Sequence, residues 1–324
     1  MGACDTFTKD YTRDCKVFAD AFNLHIYKGE QVIKPEKLHP LDTTEISVPF
    51  DAEGAEIPVQ KQRDGLKYVT AMEDDKAIYL LMAIESQMKV HYAMPVRDML
   101  YDALQYATQV ERIAKVHQEA RAKKLEKQKH DPAEFLSGFY REDRLIPVVT
   151  LVMYFSPDEC DGPKSLHDML SVQDPMILSL VSDYKLNLFE PANISKEELE
   201  RLTSSLREVM LFIKYAKDKD RLNELLDKDE RFRNVERKAA RVIEAATGAK
   251  FKMQENKEDV DMCQALREMV EDANKEGVQQ GIAQEKRLIA CRMLQNRQNT
   301  IAYIAEITGL SEEQVRVLKL ELEV

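Results

Sequence analysis

Eight consecutive apolar residues, Ala77 to Ile84 (AIYLLMAI), constrain the fold of this chain more than any other feature. The run has the length of a strand and no polar alternation, so it reads as a strand buried on both faces. Charge ends it abruptly, with Glu85 and Gln87 following in AIESQ. Residues two apart on a strand share a face, so these two project together. A carboxylate at the end of a buried strand is costly unless something compensates it. The run forms the second arm of an expected hairpin: Val59–Met72, a turn at Glu73–Lys76, then Ala77–Gln87. Asp64 lies in the first arm, in VQKQRDGLKYV. From the neighbouring strand it is positioned to share a divalent ion with Glu85, and hard oxygen ligands of this kind suit Mg²⁺ or Mn²⁺. On spacing alone the pattern is weak, and solvated strand ends describe it better.

The surrounding pattern is mixed. A helix is expected over Tyr11–Asn23, where Val17, Phe18, Ala21 and Phe22 recur at helical spacing. A short strand is expected at Glu45–Pro49 before the hairpin. Pro95 suits the first turn of a long helix running to about Lys129, and IPVVTLVMYF gives a strand at Ile146–Phe155. Beyond Pro191 the signals are helical. Ser195 and Glu198 form a capping-box pair before LERLTSSLREVMLFIKYAK, further helices are expected over Glu230–Thr247 and Val260–Arg297, and Ser311 with Gln314 makes a second capping pair. The expected organisation is an α+β (α/β) domain over 1–190, with a mixed central sheet flanked by helices. A helical extension over 191–248 and a C-terminal helical hairpin over 249–324 follow it.

Composition removes several classes of function. No apolar stretch approaches the roughly 20 residues needed to cross a bilayer, and the opening MGACDTFTKDYTRDCK lacks the apolar core of a signal peptide. The five cysteines are scattered, with no C-x-x-C, which argues against zinc ribbons and disulfide frameworks and fits a reducing cytoplasm. A net charge of −11 argues against a broadly basic surface, although a local stripe can still supply phosphate contacts. The best such stripe is Arg112, Lys115, Arg121, Lys123, Lys124, Lys127 and Lys129, against Glu111, Glu119 and Glu126. It reads equally as a DNA-tracking face or as an exposed helix laced with ion pairs. The last helix carries Glu312, Glu313, Glu321 and Glu323 against Arg316 and Lys319. That charge suits packing or self-association into a homo-oligomer better than reading DNA.

The segments RDGLKYV, IYLLMAIESQ and YAMPVRDMLYDALQYA resemble the Rpn/YhgA-like family of recombination-promoting nucleases, also described as transposases, within the PD-(D/E)XK superfamily. The likeness covers about Asp10 to Phe155. It implies a restriction-endonuclease-like core in the order helix, strand, strand, strand, helix, strand. It also implies Mg²⁺-dependent DNA endonuclease activity in recombination or mobile-element biology, with Asp64 and Glu85 as metal ligands and Gln87 beside them. The wider superfamily has Lys where Gln87 stands, so the general base is open; Lys67 or Lys89 is a candidate to supply the missing charge, or else a solvated lysine. Arg97 and Tyr101 share a helix face, and the family's Arg in this segment implies phosphate clamping by Arg97. Asp14 and Asp20 are candidates for an additional acid, or plain helix-surface residues. The alternative expectation is a catalytically impaired DNA-binding or assembly protein that keeps the fold.

Overall fold

The computed structural model describes residues 3–40, 44–47, 59–62, 65–73, 76–123, 132–253, 257–295 and 299–322. For residues 3–6, 83, 85 and those between 39 and 81, the description extends only to the backbone. The chain forms two compact units, Met1–Ala249 with Asn256–Met262, and Lys250–Glu255 with Cys263–Val324.

The first unit opens with two helices, α1 (Ala3–Thr12) and α2 (Cys15–Tyr27), where a single helix was expected. Asp14 makes the break. Its carboxylate accepts from the N–H groups of Lys16 (2.8 Å) and Val17 (3.4 Å) and so starts a new helix. The strands β1 (Leu38–Pro40), β2 (Thr44–Ser47), β3 (Val59–Gln62), β4 (Gly65–Glu73) and β5 (Lys76–Gln87) follow. The arm expected as one strand over Val59–Met72 is divided, because β3 pairs with β2 in a separate ribbon while β4 pairs with β5. Helix α3 (Met94–Ala122), α4 (Pro132–Ser137), β6 (Val148–Tyr154), α5 (Pro175–Leu178) and β7 (Asn187–Phe189) complete the central layer. The expected end of α3 near Lys129 lies outside the described residues.

The main sheet has the order β1-β4-β5-β6-β7. Its first three members are antiparallel and β5, β6 and β7 are parallel, so the fold is a mixed α+β arrangement. The apolar run takes the central position, with Met82 and Ile84 wholly buried. Helix α3 is strapped to one face of the sheet by its own side chains. Asp102 accepts from the Thr150 hydroxyl (2.6 Å), the Tyr106 hydroxyl accepts from the Val148 N–H (3.0 Å), and Gln109 exchanges two bonds with the Ile146 backbone. These three α3 residues recur at i, i+4 and i+7, one face of the helix. Helix α1 lies on the other face, where the Thr12 and Ser86 hydroxyls are 3.1 Å apart.

Past the sheet come α6 (Lys196–Leu199), α7 (Leu206–Tyr215), α8 (Lys219–Lys228), β8 (Val235–Glu236), α9 (Arg237–Thr247) and β9 (Asp259–Val260). The Ser195–Glu198 capping box is present, but the helix after it breaks at Thr203–Ser204. Asp20 takes the N–H groups of both residues, at 2.9 and 2.8 Å. The helix expected from Glu230 starts only at Arg237, because Val235 and Glu236 pair with β9. The segments expected as an α+β domain and a helical extension thus fall within one unit, joined through Asp20 and through Arg241 stacked over Phe7.

The second unit is helical: α10 (Met262–Gln295, from the boundary), α11 (Ile301–Thr308) and α12 (Glu312–Leu322). Ala290, Ile304, Val315 and Leu318 form its small core. Ser311 and Gln314 cap α12 reciprocally, at 2.9 and 3.2 Å. Among the described residues no helix is long and apolar enough to cross a membrane.

Candidate functional site

Register assigns each position at the end of β5 to a face. Ala83 stands beside Thr150 and Glu85 beside Val152 in the parallel β5–β6 pair. Thr150 bonds to α3, and alternate strand residues share a face, so positions 83, 85 and 87 belong to the α3 side of the sheet. Ser86 belongs to the α1 side and is buried there. Gln87 is half-buried, and its carbonyl accepts from the Phe155 N–H at 2.8 Å, which continues the ladder past the end of β6. The Asp64 side of the expected metal site lies outside the described residues. The antiparallel register beside it begins at Gly65, opposite Ile84.

Helix α3 brings further polar groups to the same face. Asp98 is 1% exposed and sits one turn before Asp102, which is also buried. Asp102 accepts short bonds from Thr150 and from the Tyr184 hydroxyl, both 2.6 Å. Arg97 donates from Nε to the Tyr101 hydroxyl at 3.2 Å and lies 5.5 Å from that ring's centre. The pairing orients the guanidinium at the first turns of α3. Tyr154, the β6 neighbour of Gln87, has its phenol raised above the ordinary value. Burial is the main cause; the Ser156 hydrogen bond opposes it, and Cys160, Asp161 and Asp158 nearby add to it.

Asp98 is a buried acid that sequence reasoning did not single out. It follows Arg97 in VRDMLYDAL, a segment that reads as an ordinary amphipathic helix start. Its only signal was the four-residue spacing to Asp102, which puts two acids on one helical face. Carboxylates held out of water are costly unless hydrogen bonds or a cation compensate them, and hard oxygen donors of this kind suit Mg²⁺ or Mn²⁺. Among the described residues no three His, Cys, Asp or Glu side chains form a ready metal cluster. That set excludes Asp64, and the Glu85 side chain is not part of it.

Asp14 and Asp20 serve the fold. Asp14 caps α2. Asp20 takes the backbone and hydroxyl groups of Thr203 and Ser204. Lys89 is exposed, and for Lys67 only the backbone is described. The basic stripe divides. Arg112, Lys115 and Lys123 are exposed, while Arg121 turns inward, donating to the Tyr140 hydroxyl at 3.2 Å with its guanidinium over Phe135. Beside it His117 stacks on Tyr140 and its Nε2 lies 2.9 Å from Asp143. Lys124, Lys127 and Lys129 lie outside the described residues.

An open polar cleft of about 460 Å³ lies elsewhere, lined by Asp14, Thr203, Ser204, Glu208 and Arg231 among others. Its charges neutralise one another: Arg231 Nε is 2.8 Å from Glu208, which also takes Arg207 at 3.0 Å. Burial raises the Glu208 carboxyl above its ordinary value, against the pull of Arg231 and Arg207. The arrangement is a structural network at the α7 start.

Comparisons of the chain with protein-family models, with curated proteins and with solved structures give no match.

Proposed function

We propose that this chain is a divalent-metal-dependent DNA endonuclease on a restriction-endonuclease-like core, with its reaction centre on the α3 side of the sheet at the end of β5. The observation that carries this reading is the register at the end of β5. Positions 85 and 87 lie on the side of the sheet that α3 covers, the helix that carries the buried Asp98, and the described β4–β5 register begins with Gly65 opposite Ile84. The sheet supports it too, with an antiparallel hairpin joined through α3 to a parallel strand.

In this reading Asp64 and Glu85 hold Mg²⁺ or Mn²⁺, which stabilises charge on a phosphodiester and lowers the pKa of the attacking water. Gln87 orients that water. Asp98 stands behind the ligands, and Arg97, aligned by Tyr101, contacts a phosphate oxygen. Arg112, Lys115 and Lys123 track the DNA backbone, and Arg121 contributes to packing. The role in recombination or mobile-element biology belongs to the same proposal.

Purified protein is expected to nick supercoiled plasmid in Mg²⁺ or Mn²⁺. Asp64→Ala and Glu85→Ala should each abolish nicking, and either ion should raise the melting temperature of the wild type only. Retention of full nicking by both variants removes the reading. Salt-sensitive DNA binding without cleavage or metal-linked stabilisation indicates the impaired binding protein instead.

A further inference from the structure

Helix α10 spans 34 residues, about 51 Å at 1.5 Å per residue. From Ala273 to Glu285 every residue is exposed. A Cβ added at Gly277 or Gly281 would meet nothing within 4 Å. The helical hairpin α11–α12 covers another face of α10, through Ala290 and Leu294. What is left open is a regular stripe: Glu271, Lys275, Val278, Ile282, Glu285, Ile289 and Arg292 recur at alternating steps of four and three. That is the spacing of a helix-pairing seam. Its apolar members stand in water, with Val278 63%, Ile282 50% and Ile289 38% exposed.

We propose that this stripe pairs with the same stripe of a second copy of the chain, the two α10 helices running antiparallel. The inference stands independently of the nuclease reading. Charge selects the occupant and its direction. With the axis between Val278 and Ile282, each Val278 meets an Ile282, each Lys275 meets a Glu285 and each Glu268 meets an Arg292, while Glu271 falls beside Ile289. A parallel pair in register would set Glu271, Lys275, Glu285 and Arg292 each against its own copy, four repulsions in succession. Nearby charges do not consume this pattern. Arg287 is engaged with Glu321 off the stripe, and the Lys275–Glu271 contact is long, at 4.0 Å, between well-exposed side chains.

Sedimentation equilibrium of the full chain tests the proposal, with circular dichroism as the check on folding. The wild type should dimerise reversibly. Lys275→Glu and Glu285→Lys should each raise the dissociation constant by roughly tenfold, since each reverses two symmetry-related pairs. The double variant exchanging both charges should return it to near the wild-type value. Residues ten apart on one helix are about 15 Å apart, so rescue cannot arise within a single chain. A monomeric wild type at every concentration, pointing to a different partner or none, overturns the proposal. So does a dimer that the single changes leave intact or the exchange fails to rescue.

Discussion

Asp20 and Asp98 are both acids buried in the first unit. Asp20 spends its oxygens on the N–H and hydroxyl groups of Thr203 and Ser204. Asp20→Ala strands buried donors, and chemical denaturation should show a loss of about 2–3 kcal/mol. Asp98 lies one turn before Asp102 on α3, the helix that covers the side of the sheet holding positions 85 and 87. Under the nuclease reading, Asp98→Asn should lower plasmid nicking roughly 10- to 100-fold, with a shifted metal-concentration dependence as the accompanying readout. Unchanged nicking and metal dependence would remove Asp98 from the site. The place of Glu85 and Gln87 at the end of β5 was legible because charge ends an apolar run. Asp98 was not, since one helical acid looks like any other until the sheet shows which side of α3 is inside.

At the level of elements, apolar runs and caps were readable and breaks were not. β5, β6 and the Ser195 and Ser311 caps follow from local chemistry. The interruption at Thr203–Ser204 depends on Asp20, 183 residues earlier, and the split of β3 from β4 depends on separate pairing partners. No local window contains either cause. Two predictions belong to this scale. Ser195→Ala should cost about 1 kcal/mol of stability, the usual worth of a helix cap. Glu198, bonded by the Ser195 N–H, has its carboxyl held below the ordinary value. A depressed acid contributes stability above its unfolded value and loses it as pH falls through the folded one. Glu198→Gln should therefore lower the melting temperature at neutral pH, with the difference fading as the solution is acidified through the carboxylate range. A constant difference across that range would contradict the assignment.

For the whole molecule, two compact units imply separable behaviour. A chain ending at Met262 keeps β9 and its pairing with β8. It should unfold in a single cooperative transition and remain monomeric when sedimented at concentrations where the full chain dimerises. Failure of that fragment to fold would show that the first unit needs the second.

The contacts that close the first unit reach from its beginning nearly to its end. Tyr11 lies 3.1 Å from Ser205, Phe7 lies under Arg241, and Asp20 waits for Thr203 and Ser204. During synthesis the N-terminal helices therefore leave the ribosome long before their permanent neighbours exist. A nascent chain stalled near residue 190 should still be cut readily by protease, and one extended past α9 and clear of the exit tunnel should resist. The apolar side chains of α2, Phe18 and Phe22 among them, need shielding in that interval, so this protein's yield should depend on translation speed and on chaperones that hold the early helices.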